Sequence, residues 1–137
     1  MEVYVIGPAP GASLRNGGVP CYNLYRCADG GWLAVGALEL KFWQGVCAVL
    51  GRDDWAARHW SLGEEAPGSE GARALIDELA GVIAAAPLAT WVERFAGHDC
   101  CVTPVLDAHA ALFGTSAGPV DPAQGLRRLT EPALKLR

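Results

Sequence analysis

The clearest structural signal in the chain lies in Asn16-Gly17-Gly18-Val19-Pro20-Cys21-Tyr22-Asn23-Leu24-Tyr25-Arg26-Cys27-Ala28-Asp29-Gly30-Gly31-Trp32-Leu33-Ala34-Val35-Gly36-Ala37-Leu38-Glu39. Two runs rich in aromatic and aliphatic residues, at 22–27 and 32–38, flank an Asp-Gly turn. Asp-Gly supplies the positive-φ positions that hairpin turns require. The stretch therefore predicts a β-hairpin. Its second strand leads to a single carboxylate, Glu39, at the start of a helix that begins near Lys41.

Helical periodicity follows the hairpin on its C-terminal side. Apolar residues recur at helical spacing over 41–50, before a C-capping Gly51, and over 70–86, after the plausible N-cap Ser69. Pro87 suits the first turn of a further helix that reaches Phe95. Residues 100–106 return to β character, and Asp107 is a suitable cap for a short helix over 108–113.

These elements predict an α/β (α+β) fold, with a small antiparallel sheet built from the hairpin and the strand at 100–106 and packed by three to four helices. Proline and glycine near residues 7–13 and again after residue 114 indicate irregular chain. We therefore expect an N-terminal tail or linker over 1–14, a small α/β domain over 15–114 and an irregular C-terminal tail over 115–137. A short strand over 1–6 is compatible with the sequence.

The composition argues against several classes of protein. The chain has 137 residues, and its net charge of −4 argues against a nucleic-acid partner, because phosphate binding requires clustered Lys and Arg. Five cysteines without Cys-x-x-Cys spacing predict reduced, packed thiols, no metal site and a cytoplasmic location. The longest apolar run, over 80–89, is too short to cross a membrane.

Two separate segments resemble the family III CoA-transferases, which include α-methylacyl-CoA racemase, formyl-CoA transferase and carnitine CoA-transferase. The segments are Asn16-Gly17-Gly18-Val19-Pro20-Cys21-Tyr22 with the hairpin motifs as far as Ala37-Leu38-Glu39, and Cys101-Val102-Thr103-Pro104-Val105-Leu106. The resemblance covers roughly residues 16 to 107. It implies the small domain of that fold and its linker, without the large domain that carries the catalytic aspartate or histidine.

The resemblance also implies the site residues and partners. Glu39 matches a glutamate that supports a catalytic histidine of the partner subunit's large domain, and Gly17 and Gly18 match a segment close to the bound thioester. Acyl-CoA is then a substrate, no cofactor is needed, and the chain forms a homodimer or binds a separate large-domain chain. Leu40-Lys41 departs from the family, where a proline and a polar residue follow the glutamate.

Other interpretations fit the same residues. A solvent-exposed glutamate at a helix start is favoured by the helix dipole, and a linker turn explains both glycines. His59 and His109 have polar neighbours and are expected on the surface. The alternative function is a non-catalytic dimerisation or docking module derived from the family, and a truncated reading frame without an independent role is a third possibility.

Overall fold

The computed structural model describes residues 11–63, 65–107 and 110–111. The elements are β1 (Tyr22–Arg26), β2 (Trp32–Gly36), α1 (Leu40–Leu50), α2 (Glu70–Ile83), α3 (Leu88–Phe95) and β3 (Val102–Pro104), with 3₁₀ turns at Asp53–Trp55 and Trp60–Leu62. The chain divides into two units, Met1–Val105 and Leu106–Arg137, and these six elements belong to the first.

The three strands form one antiparallel sheet in the order β1-β2-β3. Tyr22 lies opposite Gly36 in the hairpin, and Val35 lies opposite Val102 where β3 adds to β2. The predicted hairpin and its pairing with the later strand are therefore confirmed. β3 has three residues, fewer than the seven expected from the β character of 100–106.

Alternation along the strands gives the sheet a buried inner face and an open outer face. Tyr25, Leu33 and Val35 are buried on the inner face. They pack with core residues from all three helices, namely Trp43, Val46, Cys47, Leu75, Leu79, Ile83, Trp91 and Phe95. α2 contacts β1, and α3 contacts β2 and β3. The side chains of Tyr22, Leu24 and Trp32 remain exposed.

The helix ends follow their local sequence signals. The hydroxyl of Ser69 accepts a hydrogen bond from the Ala72 amide at 3.1 Å and caps α2, as predicted. Gly51 ends α1 in the left-handed region, with φ 68°. α2 ends at Ile83 rather than at residue 86, and Pro87 is the N-cap of α3 rather than part of its first turn.

The two ends of the chain are described only in part. Asp107 accepts a hydrogen bond from the Ala110 amide at 2.7 Å, which agrees with the predicted cap, but most of the helix at 108–113 lies outside the described residues. The strand at 1–6, the tail at 115–137 and His109 also lie outside them. The domain boundaries near residues 14 and 114 stay predictions.

Among the described residues, no single helix is long and apolar enough to cross a membrane. α2 and α3 reach the required length and composition only as a pair, and that pair is bent by 103°.

Candidate functional site

A cleft of about 440 Å³ opens on the outer face of the sheet. Its walls come from the chain that enters β1 and from all three strands: Arg15, Asn16, Gly17, Tyr22, Asn23, Leu24, Ala34, Val35, Gly36, Cys101 and Thr103. The sheet is open on this side because the helices pack against its inner face. A molecule in the cleft would therefore contact the strand backbone and the side chains of the outer face.

A compact loop holds the glycine segment beside this cleft. The Gly18 amide donates to the Ser13 carbonyl at 2.9 Å, and the Gly68 amide donates to the Gly18 carbonyl at 2.8 Å. A Cβ atom at Gly18 would overlap the backbone oxygen of Ser13. Gly18 is thus required for close approach of two backbone segments. It is buried and is not one of the residues that line the cleft.

Gly17, in contrast, lines the cleft and has φ +91°, a conformation that favours glycine. The side-chain amide of Asn23 donates to its carbonyl at 3.3 Å. The two glycines that the sequence predicted together therefore differ in role. Gly17 shapes the cleft wall, whereas Gly18 holds the loop that presents it.

The polar groups of the cleft suit an anionic ligand that carries carbonyl or phosphate oxygens. Arg15 contributes a guanidinium group, and Asn23 and Thr103 contribute an amide and a hydroxyl. Leu24 and Ala34 supply apolar surface. Among the described residues, no carboxylate lines the cleft. The described lining therefore combines one cationic side chain, neutral hydrogen-bonding side chains and apolar surface.

Glu39 lies at the end of the hairpin, three residues beyond the cleft residue Gly36. It is the N-cap of α1, but its side chain makes no capping hydrogen bond. The carboxylate is 67% exposed, and Oε2 is 3.5 Å from Nζ of Lys41. The described residues that line the cleft do not include Glu39, so the structure does not bring it together with Gly17 in one pocket.

Cys101 is a cleft residue that the sequence interpretation missed. It is exposed, while its neighbour Cys100 is buried, as expected for side chains on opposite faces. Its φ of +57° is uncommon for a residue with a Cβ atom. Burial raises the pKa of the Cys21 and Cys47 thiols to about 12 and also raises the pKa of Cys27 and Cys100. The expectation of packed thiols is correct for four cysteines and wrong for Cys101.

The expectation of a surface position for His59 is wrong. Its side chain is 1% exposed, because the segment between the two 3₁₀ turns folds back on the core. Burial lowers the pKa of this imidazole. Glu65 is also buried, at 4% exposure, and its Oε1 accepts a hydrogen bond from Nε of Arg58 at 2.7 Å. Neither burial has a local sequence signal, since both depend on tertiary packing.

Among the described residues, no three His, Cys, Asp or Glu side chains are grouped so that they would hold a metal ion.

Comparison with known proteins identifies the family. The model of CoA-transferase family III matches residues 3–128. The chain belongs to CoA-transferase family III. Human "Alpha-methylacyl-CoA racemase" is 36% identical over 97 residues, which cover 70% of this chain and 24% of that protein. The mouse protein of the same name is 34% identical over 105 residues, which cover 74% and 25%. A CaiB/baiF CoA-transferase family protein of Caenorhabditis elegans is 33% identical over 100 residues, which cover 71% and 25%.

The chain thus spans about a quarter of the length of these relatives. The family match covers both the loop that carries Gly17 and the strand β3 that completes the cleft. The resemblance noted in the hairpin and in β3 is therefore confirmed at the level of the family. The α+β fold with its three-stranded antiparallel sheet is consistent with a small domain of this family.

Proposed function

We propose that this chain is the small domain of an acyl-CoA-handling enzyme of the CoA-transferase family III or α-methylacyl-CoA racemase type. Membership of the family and the racemase names of two relatives support the substrate class. The observation that carries the proposal is the outer-face cleft, where Arg15 and Gly17 lie beside an apolar floor. An acyl-CoA thioester has both the negative charge and the apolar chain that these groups suit.

The catalytic aspartate or histidine, in this proposal, belongs to a large domain outside the described part of the chain. Three of the described aspartates make contacts that favour structural roles. Asp29 accepts a hydrogen bond from the start of α3, Asp54 pairs with Arg52, and Asp107 caps the turn that follows it. None of them lines the cleft. The small domain alone is then catalytically silent.

Glu39 supports the catalysis of a large domain in this proposal. Its carboxylate is 67% exposed, so it is accessible to an incoming imidazole. A carboxylate beside a histidine orients the ring and favours its charged form. The enzyme needs no cofactor beyond CoA itself. It works as a cytoplasmic homodimer, or as a complex with a separate large-domain chain, so that the partner subunit supplies the histidine.

A non-catalytic dimerisation or docking module is the second candidate. The exposed apolar side chains of the sheet favour it, since Leu24 is 55% exposed and Trp32 is 44% exposed. Such residues on a free surface are typical of a face that another protein covers. The two candidates differ in whether acyl-CoA occupies the cleft beside these side chains.

Protection of Cys101 tests the proposal. A thiol reagent such as 5,5′-dithiobis(2-nitrobenzoate) should modify Cys101 first, because the other four thiols are buried. Saturating acetyl-CoA or a 2-methylacyl-CoA should slow this reaction several-fold, since Cys101 lines the cleft. Desulfo-CoA is the control, because it has no thioester and can protect Cys101 only by occupying the cleft. An acyl-CoA could also block the thiol by transferring its acyl group to Cys101. Unchanged labelling of a chain that light scattering finds dimeric would contradict acyl-CoA binding and favour the docking module.

A further inference from the structure

The backbone around Glu39 is held on both sides. On its N-terminal side, the indole Nε1 of Trp60 donates to the Leu38 carbonyl oxygen at 2.9 Å. On its C-terminal side, the carbonyl of Glu39 accepts from the amides of Phe42 at 3.0 Å and Trp43 at 3.1 Å. The Leu38 carbonyl and the Glu39 amide share one planar peptide unit. Both peptide planes that meet at the Glu39 Cα atom are therefore constrained.

The ring of His59 lies beside the Trp60 indole. Its ring centroid is 5.6 Å from that of Trp60, with an interplanar angle of 40°. The Ser61 amide donates to Nδ1 at 3.3 Å, so Nδ1 is an acceptor and the neutral ring carries its proton on Nε2. Nε2 is buried and has no hydrogen-bond partner among the described residues. Burial lowers the pKa of this imidazole, and a backbone interaction with Leu38 opposes that shift without reversing it.

We propose that Trp60 and His59 are positioning residues for Glu39, acting through the Leu38 carbonyl. The carboxylate of Glu39 is exposed and makes no capping hydrogen bond. Its ion pair with Lys41 at 3.5 Å is exposed to solvent, so the backbone sets the direction in which the side chain leaves the start of α1. The Trp60 indole holds the peptide plane that enters Glu39, and the buried His59 ring lies against the indole. This inference rests on the proposed function, because it matters only if Glu39 supports a catalytic histidine.

Replacement of Trp60 by phenylalanine removes the indole donor and keeps an aromatic ring. Trp91 offers a matched control, because its Nε1 also donates to a backbone carbonyl, that of Ile83 at 2.8 Å, in a different part of the molecule. His59→Asn keeps a favourable N-cap acceptor but has no atom at the place of Nε2. NMR relaxation of the full chain then reports backbone order at Glu39 and Leu40 in each variant.

We expect backbone order parameters near ~0.85 in the wild type and in Trp91→Phe, falling toward about 0.6 at these two residues in Trp60→Phe. His59→Asn should give an intermediate loss. Unchanged order at Glu39 in Trp60→Phe would overturn the inference. An equal loss in Trp91→Phe would also overturn it, since the effect would then be a general loosening of the fold.

The response of the Glu39 side-chain carboxyl carbon to saturating acetyl-CoA separates the inference from the proposed function. If Trp60 had only a structural role, its replacement would leave this response unchanged. We expect a ligand-induced chemical shift in the wild type that is reduced at least about twofold in Trp60→Phe, as a less ordered carboxylate samples other directions. A full response in Trp60→Phe would overturn the positioning role and leave the proposed function untouched. No response in the wild type would instead contradict the proposed role of Glu39.

Discussion

The carboxylate of Asp29, in the hairpin turn, accepts a hydrogen bond from the backbone amide of Leu88 at 3.2 Å, across 59 residues of sequence. Leu88 is the first residue of α3, whose N-cap Pro87 makes no side-chain cap hydrogen bond. The same carboxylate accepts from the Gly31 amide at 3.1 Å. One side chain therefore closes the hairpin turn and supplies the missing cap of a distant helix, which fixes α3 to the sheet.

Replacement of Asp29 by alanine should therefore destabilise the fold more than an ordinary turn substitution. Loss of a helix-capping acceptor costs about 1 kcal/mol, and Asp29 also loses its bond within the turn. We expect a decrease of about 1–2 kcal/mol in the free energy of unfolding, measured by urea denaturation. Asp77→Ala on the exposed face of α2 is the control. Equal losses in the two variants would show that the contact with Leu88 contributes nothing.

Gly18→Ala tests the loop that carries the cleft wall. The added Cβ would overlap the Ser13 carbonyl oxygen, and this overlap requires backbone to move. Overpacking of this kind costs typically about 2 kcal/mol. Gly81→Ala is the matched control, because Gly81 lies inside α2 with open space around it and should gain roughly 0.5–1 kcal/mol. Urea denaturation of the two variants should therefore give changes of opposite sign, and a stabilised Gly18→Ala would refute the close packing of this loop.

Single and double substitutions at the ion pair of Arg58 and Glu65 should differ in their effect on stability. The Glu65 side chain is 6% exposed, so Arg58→Met leaves its carboxylate buried without its partner. Breaking a buried pair from one side costs roughly 3 kcal/mol or more, whereas replacing both partners by apolar residues is often close to neutral. The double variant Arg58→Met, Glu65→Leu should recover the part of the loss that comes from the stranded carboxylate, while the contacts of Arg58 with the Gly71 carbonyl and Glu78 are lost in both variants. Arg52→Met, at an exposed pair, should have a smaller effect. Failure of the double variant to recover would mean that the loss does not come from the stranded carboxylate.

The stability of the fold should depend on pH through His59. Burial lowers the pKa of this imidazole in the native state, while an unfolded histidine has a pKa of about 6.5. As the pH falls below that value, the unfolded chain takes up a proton that the native chain resists. The stability that the neutral imidazole contributes at pH 7 is therefore lost as the pH falls toward the lower pKa of His59 in the native state. The decrease in unfolding free energy between pH 7 and pH 5 should be smaller in His59→Asn and unchanged in His98→Asn, whose side chain is exposed. Equal slopes in all three proteins would contradict a buried neutral His59.

Much of the fold follows from signals that are local in the sequence. The Asp-Gly turn, the hydroxyl of Ser69 and the left-handed Gly51 each determine a boundary through their own backbone preferences. β3 was predictable from the β character of residues 100–106, of which three form the strand. These features need no knowledge of the rest of the chain.

The site was predictable only in part, because its geometry depends on contacts between distant segments. Gly17 and Gly18 are adjacent, yet one lines the cleft and the other packs against Ser13. Cys101 reaches the cleft through a backbone conformation that its sequence does not indicate. His59 has polar neighbours in sequence but is enclosed by packing of the 3₁₀ turns. Tertiary contact decided each of these positions.

Calorimetric titration with acetyl-CoA and a 2-methylacyl-CoA measures whether the cleft binds acyl-CoA. The purified chain should bind both saturably, and Arg15→Gln should weaken the affinity several-fold, because Arg15 supplies the cation of the cleft. Arg73→Gln, an exposed arginine on α2 outside the cleft, should bind like the wild type. Absence of binding by the folded wild type, or equal affinity of Arg15→Gln and wild type, would contradict the assignment of the cleft to acyl-CoA.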